Sequence, residues 1–161
     1  MRRKRTLFVT RAAMIAALYV VLTMIANAFG LANYAIQVRF SEGLTILPFF
    51  TSAAIPGLFA GCLISNILTG AMPLDVIFGS IATLIGALGT HFLRKWKWLA
   101  PLPHKVSNTI IVPYILMYVY QFEGSLLYFM VMVGIGEIIS CGIIGMSLLL
   151  ALEKYKKELF K

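Results

Sequence analysis

The sequence predicts an all-α integral membrane protein that forms a single domain over residues 1–161. Its 161 residues are 60% hydrophobic and only 12% charged, and the mean hydropathy of +0.90 exceeds that of ordinary soluble proteins. Thirteen of the fourteen lysines and arginines fall in three clusters, at 2–11, 94–105 and 154–161, which flank or separate long apolar runs. Basic clusters beside apolar runs are typical of the cytoplasmic side of a membrane protein. A chain of this length can form several membrane helices, and the sequence left over is too short for a soluble catalytic module.

Counting the apolar segments predicts six transmembrane helices. Four segments are long enough to span a bilayer, at 7–29, 74–93, 106–122 and 126–152. Taken as one span, the segment 44–69 gives five crossings and places the second and third basic clusters opposite the first, which violates the positive-inside rule twice. A break at Ile55, Pro56 and Gly57 instead makes it a hairpin with arms of roughly 18 Å each. The second and third spans are therefore expected to be short and broken by proline and glycine, with both termini cytoplasmic.

The position of the basic residues argues against a nucleic-acid-binding protein, and the length of the first apolar run argues against a cleaved signal peptide. The net charge of +8 lies beside hydrophobic spans, so it favours anchoring in the lipid bilayer over binding nucleic acid. The basic N-terminus followed by an apolar run resembles a signal peptide, but the run 7–29 is long and no A-x-A-like cleavage site in it is convincing. We expect it to be a retained first span.

Enzymatic and metal chemistry find little support in the sequence. Cys62 and Cys141 lie in apolar segments without metal-ligand neighbours, so we expect neither a disulfide nor a metal site. His91 and His104 are expected at the cytoplasmic side without nearby carboxylates. The chain has no ATP-binding loop and no hydrolase motif. It is therefore expected to bind or carry a solute without a cofactor of its own.

Polar residues converge on the side opposite the basic clusters. Gln37, Arg39 and Glu42 form a cluster that could fold over an outward-facing pocket, and the alternative is a salt bridge within a loop. Asp75 follows a proline at the start of a helical run, where it either faces a ligand or caps the helix. Asn66 is close enough in sequence to share that pocket, although interhelical hydrogen bonding is its alternative role.

Glu137 is the strongest indication of a binding site in the sequence. It lies about twelve residues into the last span, near mid-membrane at about 1.5 Å per residue, where an ionisable group usually serves function. A structural ion pair is the alternative. Four of the six acidic residues, but only one basic residue, are expected within the membrane or on its outer side. This balance favours a cationic or donor-rich solute. Phe78 and Tyr118 could stack a flat ring, although anchoring at the membrane interface is the commoner role of outer aromatic residues.

Small residues on the first span indicate close helix packing. Two overlapping small-x-x-x-small pairs are formed by Ala12, Ala13, Ala16 and Ala17. Packing against the other spans and packing against a partner subunit account for them equally well.

Four stretches resemble the QueT family of substrate-binding S components of energy-coupling factor (ECF) transporters. They are IQVRFSEGLT at 36–45, SNILTG at 65–70, LDVIFGS at 74–80 and GIGE at 134–137. The resemblance implies a multi-pass protein of the bacterial plasma membrane that captures a queuosine precursor such as 7-aminomethyl-7-deazaguanine. It also implies docking, through the four small alanines of the first helix, on a transmembrane T component driven by two ATPase subunits that use ATP.

Under this resemblance, the acidic residues are expected to meet the donors of the ligand. Glu137 and Asp75 would bind them, Asn66 and Glu42 would complete the polar contacts, and Arg39 would face a carbonyl oxygen or orient Glu42. Three alternatives stay open: an S component for another vitamin-like solute, a standalone proton-coupled carrier of small organic cations, and a purely structural membrane partner.

Overall fold

The computed structural model describes residues 2–31 and 38–156, and this part of the chain forms helices joined by turns, with no strand. In chain order the elements are α1 (Arg2–Ala28), a 3₁₀ helix (Phe40–Phe49), α2 (Ala54–Leu68), α3 (Pro73–Phe92), a 3₁₀ turn (Lys97–Leu99), α4 (Leu102–Tyr118), α5 (Leu126–Glu137), a π-helical segment (Ile138–Gly145) and α6 (Met146–Lys154). The predicted all-α class is confirmed for these residues. That the whole chain is one domain stays a prediction.

Among the described residues, three helices are long and apolar enough to cross a membrane. They are α1, α3 and the last helix, in which α5, the π-helical segment and α6 run continuously over Leu126–Lys154. α2 is apolar but has only 15 residues, or roughly 22 Å of helix. The structure is therefore that of a helical membrane protein. Six crossings and cytoplasmic termini stay predictions.

The 3₁₀ helix runs through the interior of the bundle. Each residue of the range 41–48 is buried, and the helix packs against α1, α3 and the π-helical segment. The chain then turns at 50–53 before α2 begins at Ala54. The predicted break at Ile55, Pro56 and Gly57 was wrong by a few residues, because a proline is well tolerated in the first turn of a helix. Two short arms do follow each other here, but the first is a 3₁₀ helix.

Two glycines let α2 lie directly against α1. A Cβ atom at Gly57 would lie 2.7 Å from the carbonyl oxygen of Ala12, and one at Gly61 would lie 3.1 Å from the carbonyl oxygen of Ala16. Side chains at these positions would push the two helices apart. The small residues of the first span therefore serve internal packing at least in part.

The four alanines of α1 fall into two pairs with different surroundings. Ala12 and Ala16 are half-buried beside α2, whereas Ala13 and Ala17 are exposed. A helix presents residues four apart on one face, so each pair belongs to its own face. Of the four alanines predicted to meet a partner, Ala13 and Ala17 are the exposed pair.

The last helix buries every fourth residue along its length: Phe129, Val133, Glu137, Cys141, Gly145 and Leu149. In a regular α-helix a four-residue step overshoots one turn by roughly 40°, so five steps would rotate the stripe by roughly 200°. A π-helix has more residues per turn, so each residue rotates the chain by a smaller angle. The π-helical segment therefore offsets part of the rotation of the stripe. Glu137 and the apolar residues beyond it consequently face the same interior.

Candidate functional site

A small polar cavity, here called the inner cavity, lies between the 3₁₀ helix and helices α2 to α5. Its volume is about 30 Å³, room for about one water molecule. The polar residues that line it are Arg39, Glu42, Cys62, Asp75, Thr83, Asn108, Tyr120 and Glu137. Five elements thus contribute side chains to one buried polar space.

A second pocket, here called the outer pocket, adjoins the inner cavity and has a volume of about 210 Å³. Thr23 and Asn27 of α1 line it, together with Asn66 and Thr69 of α2. Four residues line both spaces and are here called the neck: Arg39, Asp75, Leu116 and Tyr120. A solute that enters the outer pocket therefore has to pass the neck to reach the inner cavity.

Glu137 lies at the centre of the polar interior and is only 4% exposed. Its Oε1 atom accepts a hydrogen bond of 2.5 Å from Nδ2 of Asn108, and its Oε2 atom lies 3.2 Å from the Cys141 thiol, which donates to it. A carboxylate oxygen of Glu42 and one of Glu137 lie within 4.8 Å of each other.

Glu42 occupies the first turn of the buried 3₁₀ helix rather than a loop. Its backbone carbonyl accepts a hydrogen bond from Thr45 Oγ1 at 2.6 Å, and the Cys141 sulfur lies 3.4 Å from the same carbonyl oxygen. The backbone N–H of Arg39 donates to Ser140 Oγ at 3.2 Å. These bonds tie the start of the 3₁₀ helix to the last helix, which keeps Glu42 beside Glu137.

His104 is completely buried, and it lies near carboxylates in contrast to the prediction. Its Nε2 atom is 3.1 Å from Nδ2 of Asn108, the same amide nitrogen that bonds Glu137. The prediction of no nearby carboxylates was wrong because His104 belongs to the first turn of α4 and is buried, close to Glu42 and Glu137. His104 and Asn108 are four positions apart and therefore share one helix face, which is the signal that sequence reasoning missed.

Four residues with metal-ligating groups meet in this interior, since the ligand atoms of Glu42, His104, Glu137 and Cys141 lie within 4.8 Å of one another. The prediction that Cys141 has no metal-ligand neighbours was therefore wrong. Both oxygens of Glu137 and the Nε2 atom of His104 already take part in hydrogen bonds with protein donors. We interpret the group as a hydrogen-bonded polar network. That the chain holds no metal or cofactor stays a prediction.

Asp75 is the third residue of α3 and not its cap, because Met72 occupies the cap position. Its Oδ2 atom accepts a 2.7 Å hydrogen bond from the Tyr120 hydroxyl, which in turn accepts one of 3.3 Å from the backbone N–H of Met72. Partial burial and the bond to Asp75 raise the pKa of Tyr120 above its ordinary value. The bond joins the start of α3 to the turn after α4 across the neck.

Asn66 lines the outer pocket and is buried. Its Nδ2 atom lies 3.6 Å from the thiol of Cys62, one turn earlier on α2, and the hydroxyl of Thr83 on α3 donates to the same thiol at 3.3 Å. The bond of Asn66 to Cys62 thus lies within α2, whereas Thr83 makes the bond between α3 and α2. Asn66 stays a candidate for ligand contact.

Two predicted site residues within the described part of the chain are not brought to this cluster. Phe78 and Tyr118 are 47% and 72% exposed and line an apolar groove on the outside of α3 and α4. Gln37 lies outside the described residues. Conversely, Asn108 and His104 belong to the polar interior although sequence reasoning did not select them.

Comparison with known proteins gives a family and a relative for this chain. The family model described as QueT transporter matches residues 9–154. The queuosine precursor transporter QueT of Lactococcus lactis subsp. cremoris (strain MG1363) is 38% identical over 98 residues, which are 60% of this chain and 57% of that relative. No solved structure matches the chain significantly. Because the family model covers nearly all of the sequence, the chain belongs to the QueT transporter family.

Proposed function

We propose that this chain is the substrate-capture (S) subunit of an ECF-type importer and takes up a queuosine precursor such as 7-aminomethyl-7-deazaguanine. The observation that carries the proposal is the buried pair Glu42–Glu137, which lines a cavity connected through a neck to an outer pocket. Family membership and a relative named queuosine precursor transporter support it. An importer subunit of this kind is not an enzyme.

The chemistry of the ligand suits the acceptors of the site. A 7-aminomethyl-7-deazaguanine molecule carries an ammonium group and several N–H donors on a planar ring. Burying carboxyl groups is energetically unfavourable, so carboxyl groups buried in a membrane protein usually serve its function. Glu137 and Glu42 offer acceptors at the bottom of the site, Asp75 offers one at the neck, and Arg39 supplies a donor for the ring carbonyl.

The size of the two spaces indicates that the neck has to move. The inner cavity of about 30 Å³ is too small for a bicyclic ring, whereas the outer pocket of about 210 Å³ is larger. Joining them requires Leu116 and Tyr120 to shift away from Asp75. We infer that the described conformation is contracted and that the ligand binds after the bond between Tyr120 and Asp75 opens.

Docking on a T component is proposed for one face of α1. Ala13 and Ala17 are exposed, while Ala12 and Ala16 pack beside α2. Exposed small residues four apart permit close approach of a partner helix. Two ATPase subunits would supply the energy from ATP, and the complex would reside in the bacterial plasma membrane.

The proposal is tested by ligand binding to the purified chain in detergent. 7-Aminomethyl-7-deazaguanine is titrated against guanine and a panel of vitamins, with a thermal melt to show that the sample is folded. Selective binding of the deazaguanine supports substrate capture. Absence of binding by a folded sample contradicts it.

The second candidate is a standalone proton-coupled carrier of small organic cations. The closeness of the two buried carboxyl groups of Glu42 and Glu137 favours it, because a proton and a cationic substrate can compete for such a pair. Uptake by cells distinguishes the two functions. Transport that persists without co-expressed T and ATPase subunits supports the carrier, and transport that requires them supports the importer.

A further inference from the structure

The amide group of Asn108 is held in one orientation by two acceptors. Asn108 is buried on α4, and its Nδ2 atom is 2.5 Å from Glu137 Oε1 and 3.1 Å from His104 Nε2. An amide nitrogen has two hydrogens and no lone pair to share, so both neighbours must accept. The two N–H donors are therefore used within the protein.

The second acceptor is itself fixed by packing. A Cβ atom at Gly86 of α3 would lie 2.6 Å from Nδ1 of His104, so the imidazole ring is pressed against the backbone of α3. With Nε2 accepting from Asn108, the ring proton belongs on Nδ1. His104 thus acts as a positioning residue that keeps the nitrogen side of the Asn108 amide turned towards itself and Glu137.

The oxygen of the Asn108 amide is left for the inner cavity. Asn108 lines that cavity, and among the described residues no protein donor bonds to its Oδ1 atom. Each oxygen of Glu137 has one protein donor and keeps a further lone pair. The floor of the site therefore presents two adjacent acceptors, the Asn108 amide oxygen and the Glu137 carboxyl group.

We propose that Asn108 and Glu137 together hold an exocyclic amino group, and that Asn108 thereby makes the site select 2-amino heterocycles. This inference rests on the proposed function. An exocyclic 2-amino group has two N–H donors that point to different sides, so it needs two acceptors. One donor bonds Asn108 Oδ1, while the other and the neighbouring ring N–H bond Glu137. A ring without the 2-amino group leaves the Asn108 oxygen buried and unpaired, which penalises its binding.

The test combines a change in the protein with a change in the ligand. Wild type and Asn108→Leu are titrated with 7-aminomethyl-7-deazaguanine and with its analogue that lacks the 2-amino group. We expect wild type to bind the analogue roughly 10- to 100-fold more weakly, since a hydrogen bond to a buried acceptor is lost. Asn108→Leu should weaken binding of the full ligand by a similar factor and change binding of the analogue little.

Thr109→Val is the matched control, because Thr109 is the next residue on α4 and lines a surface groove away from the inner cavity. Equal losses for both ligands in Asn108→Leu would overturn the proposal, as would equal affinities of wild type for the two ligands. If Asn108→Leu does not fold, Asn108→Ala is compared in the same way. Binding of neither ligand by folded wild type would instead refute the proposed function itself.

Discussion

Replacing Glu137 by glutamine should sharply weaken ligand binding and leave the fold intact. Glutamine has nearly the same shape, so its oxygen can accept the bond from Asn108 and its nitrogen can donate to the Cys141 sulfur. The variant loses the negative charge and turns one of its two acceptor atoms into a donor. In the proposed complex, that donor would face the N–H groups of the ligand.

The expected magnitude follows from these contacts. A hydrogen bond to a charged group contributes about 1.5–3 kcal/mol, and leaving a buried polar group opposite a wrong partner adds to the loss. We expect a total of about 3 kcal/mol, which corresponds to an affinity lower by roughly 100-fold. Because Glu137 is only 4% exposed, water cannot replace the lost acceptor.

Isothermal titration of 7-aminomethyl-7-deazaguanine against the purified protein in detergent measures this change, and a thermal melt checks the fold. Glu123→Gln is the matched control, because Glu123 is an exposed carboxylate in the turn between α4 and α5. Unchanged affinity in a folded Glu137→Gln variant would refute the assignment of the buried carboxyl group to the ligand.

Three further predictions concern the partner face, the helix packing and the neck. Ala13→Trp should spare ligand binding but reduce uptake by cells that express the whole importer, and unchanged uptake would contradict docking there. Gly57→Ala should lower the unfolding free energy by about 1–3 kcal/mol in a melt, because the added Cβ would press on α1. Gly134→Ala is the control and should change the unfolding free energy little, because its added Cβ would make only ordinary van der Waals contacts. Tyr120→Phe removes the bond to Asp75 and should speed ligand association in stopped-flow measurements, and a slower association would contradict the neck.

Hydropathy and charge were sufficient to predict the long helices. The segment predicted at 74–93 corresponds to Pro73–Phe92, and that at 126–152 to Leu126–Lys154. The winding of the backbone was not predictable in the same way. A 3₁₀ helix at Phe40–Phe49 and a π-helical segment at Ile138–Gly145 depend on how neighbouring helices pack, and an apolar run looks alike in all three windings.

The candidate site was predictable where charge singled out a residue. Glu137 is an ionisable group in an apolar run and Glu42 belongs to a short polar cluster, and the structure brings the two together although they are 95 positions apart in the sequence. Asn108 was missed because a neutral amide in a span has many ordinary explanations. Phe78 was selected because aromatic residues can stack, but the sequence does not reveal which face of α3 meets the cavity.

The π-helical segment has a consequence for how this protein can vary. It separates Glu137 from Leu149, yet both must face the interior. Deleting one residue between them would rotate everything that follows by roughly 100° about the helix axis, unless a wide turn closed to compensate. A regular helix would transmit this rotation to all the residues that follow, whereas the π-helical segment can compensate for it by closing one wide turn. A relative with one residue fewer here could therefore keep both ends of the last helix in the same orientation.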